Sequence, residues 1–281
     1  MRLSETNIKL RDIDSVKKFG LAIMPHTAKL FLEKVDVTHV SNSIEFVNLL
    51  ITSVIAQVPF QNQTMLSRGF GVIPKAEDII EDMVTLRGGT CGTMNIFFGA
   101  LLYSLDYDTC LIQGTMQKKD DHIGILLSLN SEKYIVDIGD GQPFFEAFSC
   151  QTDIEVFNPF KTYRSIALNS ELTIQFLIEN EWVTDSTFNL IPKTFKEVER
   201  TLICHYKDSE FGPFWKSIRF AMYPNKKIIA IRDQIFYREL PDNSIKRTKI
   251  QNMNELDVIL TEHLPSYKES IIESFHKFHL L

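Results

Sequence analysis

The residues best suited to chemistry begin with the segment Arg87-Gly88-Gly89-Thr90-Cys91. Two glycines let a backbone turn tightly and approach a ligand closely. A cysteine just after them, in the first turn of a helix, meets unpaired N–H groups and the positive end of the helix dipole. Both favour the thiolate, the nucleophilic form, and the same N–H groups can hold an oxyanion during acyl transfer. The plain alternative is a core cysteine on a helix after an ordinary turn. His122 and Asp137 shift that balance. They fall on two consecutive predicted strands, 122–129 and 133–138, with a turn near Asn130-Ser131. An even-numbered loop puts both side chains on one face. Loop 130–131 makes them diagonal neighbours, and loop 128–131 sets them opposite; an odd loop without a bulge would separate them. The same face carries Gly124 and Gly139, which leave room, whereas Ile123, Ile125, Leu127, Tyr134, Val136 and Ile138 form an apolar face for a core. Cys91 is thus the candidate nucleophile, His122 its base and Asp137 the orienter. Asp120 and Asp121 are rival orienters, but Asp121 is adjacent to His122 in a strand and should point the other way.

The elements that must position these groups can be read from periodicity. Asn42-Ser43-Ile44-Glu45 has the form of a capping box with Asn42 as cap. Apolar residues at helical spacing follow it until Pro59 ends the helix at about Val58. A second helix begins near Cys91, with Thr90 as N-cap and Met94, Phe97, Phe98, Leu101, Leu102 and Leu105 on one face. From about Tyr107 the pattern turns to short strands, at 109–116, 122–129, 133–138, 171–178 and 182–188, which suits a small antiparallel barrel or sandwich. The last third returns to strands at 217–223, 228–232 and 235–239. It closes with two helices headed by the capping boxes Asn252-x-x-Glu255 and Ser266-x-x-Glu269.

Composition narrows the function classes. The 281 residues and 44% apolar content can build a full core without staples. The net charge of −6 argues against a nucleic-acid partner, while a single anionic ligand remains compatible with it. Met1–Gly20 is too polar for a secretory signal, and the apolar run 46–60 is broken by polar residues and too short to span a bilayer. Cys91, Cys110, Cys150 and Cys204 are scattered, so the expectation is a cytoplasmic chain with reduced thiols. No metal site is expected: Cys204-His205 has no second pair at ligand spacing. His26, His39, His263, His276 and His279 lack a partner pattern.

Arg87-Gly88-Gly89-Thr90-Cys91 followed by Asn95, then His122, then Val136-Asp137-Ile138-Gly139, resembles the arylamine N-acetyltransferase family. Val58-Pro59-Phe60-Gln61-Asn62 is similar to that family's Pro-Phe-Glu-Asn segment, and order and spacing agree over about residues 20–145. The resemblance implies an α+β fold in three parts: a helical domain (1–106) carrying the nucleophile, a central antiparallel β-barrel (107–198) carrying His and Asp, and an α/β lid (199–281). It implies the triad Cys91, His122 and Asp137, with ping-pong transfer of acetyl from acetyl-CoA, as co-substrate, to an arylamine or hydrazine. For the CoA, the turn Gly139-Asp140-Gly141 and the loop residues Trp215 and Lys216 are the candidates. Departures cluster at the substrate end. Thr90 and Gly92 replace larger residues, Asp140 stands where Phe is usual, and Gln61 stands for a glutamate, so that Arg87 would turn to Glu81 or Asp82. Small residues at 90 and 92 would suit a wider mouth. An amide synthase using a larger acyl thioester, a cysteine peptidase or transglutaminase-like enzyme, and a catalytically silent binding homologue are therefore the alternatives.

Overall fold

The structure, a computed structural model, describes residues 14–38, 40–151, 155–157 and 161–280. His39 and the first thirteen residues of the polar Met1–Gly20 stretch lie outside the described residues. The amino-terminal third is helical: α1 (Asp14–Phe19), α2 (Pro25–Lys34), α3 (Ile44–Gln57), α4 (Gln63–Arg68), α5 (Ala76–Val84) and α6 (Cys91–Ser104), with the short strand β1 (Phe60–Gln61) between α3 and α4. The cap of α3 is Ser43 rather than Asn42, because the Ser43 hydroxyl accepts from the Phe46 amide at 3.2 Å. Pro59 stops the helix as expected: it holds Val58 extended, at φ −111° and ψ 112°.

Helix α6 differs from a one-faced reading. Every residue from Cys91 to Ser104 is buried, because α1, α2 and α5 cover one side and the strands described next cover the other. A helix apolar all round belongs inside a core. Thr90 occupies the cap position, yet its hydroxyl makes no cap bond and is buried without a partner.

The central strands are β2 (Asp108–Thr115), β3 (His122–Leu129), β4 (Glu132–Val136), β5 (Phe148–Ser149), β6 (Glu155–Phe157), β7 (Thr162–Leu168), β8 (Glu171–Ile178) and β9 (Glu181–Lys193). They form an antiparallel sheet in the order β5-β4-β3-β2-β9-β8-β7-β6, curled into a nearly closed barrel. Helix α7 (Phe195–Lys207) follows. A second sheet pairs β1 with β10 (Arg219–Met222), then β11 (Ile229–Arg232), β12 (Ile235–Glu239) and β13 (Ile245–Lys249). Its Phe220, Ile231 and Phe236 pack on α8 (Met253–His263) and α9 (Lys268–Lys277). Asn252 caps α8 by accepting from the Glu255 amide at 3.0 Å. The expected Ser266 box is absent, since Pro265–Tyr267 forms a 3-10 turn and α9 starts after it without a side-chain cap. No helix among the described residues is long and apolar enough to cross a membrane.

The segment after α3 ties these parts together. Gln61 N–H donates to Gly89 O at 2.8 Å, and Gly89 N–H donates to Pro59 O at 3.3 Å, so the loop before Cys91 lies against residues 59–61. Asn62 is fully buried; its Nδ2 donates to Phe214 O and Ser217 O, and its Oδ1 accepts from Arg219 N–H. Gly88 sits at φ 73°, and a Cβ there would lie 1.9 Å from Pro59 O. Both the left-handed backbone and this approach require glycine. Gly88→Ala should therefore cost about 2 kcal/mol or more of stability, measured by denaturant unfolding. Wild-type stability in that variant would show that the loop can relax away from Pro59.

Candidate functional site

The β3–β4 hairpin decides which face His122 and Asp137 share. Its loop is the two residues Asn130 and Ser131, at φ 52° and 67°, a pair of left-handed residues that matches the twist of the strands. Leu129 pairs with Glu132 and Ile125 with Val136. Continued by one step, the register sets Gly124 opposite Asp137, just past the end of β4, and His122 on the diagonal. Their side chains meet, with Nε2 of His122 2.6 Å from Oδ2 of Asp137 and both groups buried. A carboxylate only accepts, so the Nε2 proton lies in this bond and Nδ1 is the nitrogen left for Cys91.

Asp137 is itself held on its other oxygen. Oδ1 accepts from Asn95 Nδ2 at 2.7 Å and from Gly139 N–H at 2.9 Å. Asn95, on α6 one turn after Cys91, also donates to Ile123 O and accepts from Ile138 N–H. Gly139 has no room for a side chain, because a Cβ would stand 2.5 Å from the Cys91 Cα. The glycines of the polar face leave space for one particular ring. A Cβ at Gly114 or Gly124 would strike Phe188 at 2.9 or 2.6 Å, and that ring meets His122 edge-on at 5.7 Å.

The rival carboxylate Asp121 is a turn residue. It accepts from the Met116, Gln117 and Lys118 amides at 2.7–3.0 Å and has no part in orienting His122. Asp120 lies in the same turn at φ 58°. Gln61 donates to Arg87 O, and the Arg87 guanidinium turns instead to Glu81 at 2.8 Å and Asp82 at 3.0 Å.

Burial acts to raise the Cys91 thiol, but the charge of His122, then that of His205, and hydrogen bonding to these rings outweigh it. The thiol is brought down to about 6. For His122 burial opposes the charged form, and Asp137 and Cys91 overcome it, so the imidazole is held well above its ordinary range. The favoured state near neutrality is a thiolate–imidazolium pair. A cavity of about 760 Å³ opens on Cys91 and His122, within the range of small-molecule sites.

A family model described as N-acetyltransferase matches residues 43–265, most of the chain. The protein belongs to the arylamine N-acetyltransferase family. Solved structures of the family share its fold. The enzyme from Salmonella typhimurium is 18% identical, with 85% of this chain and 90% of that one covered at a TM-score of 0.75. The Mycobacterium marinum enzyme in complex with CoA is 14% identical, covering 85% and 92% at 0.75. Arylamine N-acetyltransferase C from Bacillus anthracis is 15% identical, covering 85% and 98% at 0.73. No curated protein sequence matches significantly. Family and fold support an acetyltransferase function, and hence an enzyme.

In this acetyltransferase the residues expected to hold CoA are distributed unevenly. Gly139 and Gly141 line the cavity, but the Gly139 N–H is spent on Asp137 and Gly141 O accepts from the Tyr223 hydroxyl. The cavity wall runs through Gly212, Pro213 and Phe214 and stops short of Trp215 and Lys216. Trp215 packs on Phe70 and donates to His205 O. Lys216 is exposed and paired with Glu210 at 2.5 Å. Neither touches the cavity, because the turn after Pro213 points them outward. Asp140 does line it; burial first, then Asp185 and Asp137, push its carboxyl up to about 7. It is thus about half protonated near pH 7, which lessens the penalty a full carboxylate charge would place on the thiolate.

Sequence reading missed His205. It lies on α7, an element the strand-rich pattern concealed, although Thr194 and Glu197 were available as a cap signal; Thr194 N–H donates to Glu197 at 2.7 Å. His205 is buried, and its Nε2–H donates to Asp121 O at 3.0 Å. Its Nδ1 has no partner other than the Cys91 thiol beside it, and the ring lines the same cavity. A Cβ on Gly92 would meet Leu202 at 2.9 Å and His205 Nδ1 at 3.7 Å. The small residue at 92 therefore admits α7 and does not widen the mouth. Alkylation of Cys91 by iodoacetamide, followed by mass against pH, should have its midpoint at about 6. In His205→Phe, whose ring keeps the packing with Phe211 and Phe214, the midpoint should rise. An unmoved midpoint would remove His205 from the account of the thiolate.

Proposed function

We propose that this protein transfers acetyl from acetyl-CoA to an arylamine, hydrazine or related amine through an acetyl-cysteine intermediate on Cys91. The observation that carries this reading is the Cys91 thiol, lowered to about 6 beside His122 at a cavity wall, with His122 fixed by Asp137. The Cys91 thiolate attacks the thioester carbonyl. Backbone N–H groups in the first turn of α6 face the developing oxyanion. The carbon–sulfur bond to CoA breaks, and the leaving thiolate takes the His122 proton. In the second half-reaction the amine nitrogen attacks the acetyl carbonyl, His122 accepts the amine proton, and the bond to Cys91 breaks to return the thiolate. Asp137 keeps the His122 proton on Nε2 and stabilises the imidazolium.

Intact-mass measurement after mixing with acetyl-CoA alone should show one acetyl group on the wild type and none on Cys91→Ala. Absence of both an adduct and free-CoA release would rule out acetyl-CoA as donor. A larger acyl-CoA labelling Cys91 in its place would favour the amide-synthase alternative. In Asp137→Asn the amide oxygen can still accept from Asn95 and Gly139. Its NH2 then faces His122 and forces the proton to Nδ1, the side of Cys91. Acyl transfer should fall by about 10³–10⁴-fold with the fold retained, and full activity in that variant would mean that Asp137 does not orient the histidine.

A further inference from the structure

The wall of the cavity contributed by the second sheet is basic, in a chain whose net charge is −6. Arg219 on β10 and Arg232 on β11 are direct cross-strand partners, and Arg247 on β13 is opposite Tyr237 of β12. Alternation along the strands puts Arg219, Ala221, Ala230, Arg232, Tyr237 and Arg247 on one face. All six line the cavity that opens on Cys91. The opposite face, with Phe220, Ile231 and Phe236, is the one buried on α8 and α9.

Like charges placed directly across a sheet repel, and the nearby Asp233 offsets the Arg232 charge at Arg219 only in part. Among the described residues, none of the three arginines forms an ion pair, whereas Arg68 and Arg87 both meet carboxylates. The Nε of Arg219 is buried without a hydrogen-bond partner. Burial first, then the Arg232 charge, lowers the Arg219 pKa. Asn62 holds the Arg219 backbone in place through its N–H, so that strand cannot easily swing away. A guanidinium pair held together against its own repulsion, with an orphaned donor, is the arrangement that a multivalent oxyanion would complete, since planar guanidinium groups donate paired hydrogen bonds to phosphate oxygens. Between the arginines, the side-by-side Ala221 and Ala230 leave a shallow floor flanked by Tyr237.

We propose that Arg219, Arg232 and Arg247 form the phosphate subsite of the cavity, receiving the diphosphate of the acyl donor while its thioester reaches Cys91. The identity of the donor rests on the function proposed above; the anion subsite itself does not.

The test separates the two. Arg232 and Arg247 are exposed and make no structural hydrogen bond, so Arg232→Gln and Arg247→Gln should fold normally. Acetylation of Cys91 is followed by intact mass with acetyl-CoA and with 4-nitrophenyl acetate, a donor without phosphate, and pyrophosphate binding is measured by calorimetry. Each variant should need about tenfold more acetyl-CoA or greater, bind pyrophosphate correspondingly more weakly, and react with 4-nitrophenyl acetate as the wild type does. Added salt should slow the acetyl-CoA reaction of the wild type more than that of the double variant. Unchanged acetyl-CoA dependence and pyrophosphate binding in the double variant would overturn the subsite and leave the donor assignment standing. A wild type that binds pyrophosphate through these arginines, yet is acetylated only by 4-nitrophenyl acetate, would keep the subsite and remove acetyl-CoA as donor.

Discussion

The buried carboxylate of Asp137 is the constraint around which the rest of the molecule is arranged. Taking an isolated carboxylate out of water costs several kcal/mol, and here the cost is met by hydrogen bonds from three directions: Asn95, the Gly139 amide and His122. Each comes from a different element. Asn95 belongs to the central helix, Gly139 to the chain leaving the barrel, and His122 to the neighbouring strand. Satisfying one oxygen pair therefore locks helix against sheet and aims the imidazole at Cys91. Removing His122 would leave Oδ2 a buried acceptor without a partner, at about 1–3 kcal/mol, whereas Oδ1 keeps one donor if the other is lost. Stability and orientation of the histidine are thus served by the same bonds.

Close packing follows from this arrangement. The chain after β4 must pass against the first turn of α6, and only glycine at 139 permits that approach. The ring of Phe188 must lie under His122, and glycines at 114 and 124 make the space. On the far side α7 presses Leu202 and His205 against Gly92. The thiol is thereby enclosed by two imidazoles in low dielectric, where a neighbouring positive charge acts more strongly than it would in water. The Pro59–Asn62 segment then joins this enclosure to the second sheet and brings the arginine face to the same cavity.

Much of this was legible in residue order. The periodicities of α3, α6, β3 and β8 are local properties, and their ends are set by residues such as Pro59 and Ser43 that act within a turn. Strands β6, β7 and β13 and helix α7 were hidden. The burial of β7 and β13 is irregular or mostly exposed, so hydrophobic alternation carries little signal there, and the buried face of α7, although regularly spaced, includes the polar Thr201 and His205. Lys216 and Trp215 illustrate the limit at the site. A lysine beside an aromatic near a pocket loop reads as a ligand contact, but one turn of backbone sends both outward, to Glu210 and Phe70.

Residue types and spacing were enough for the fold class, the family, and the candidacy of Cys91, His122 and Asp137, because a two-residue hairpin loop and a glycine turn before a helix are local rules of geometry. What they could not supply were relations between elements far apart in the chain. His205 meets Cys91 across more than a hundred residues, Asn62 pins Arg219 at a separation of 157, and Arg219, Arg232 and Arg247 share a face only once the strands are paired in register. Such meetings depend on packing and register, which sum over the whole core and leave no trace in any short stretch of sequence.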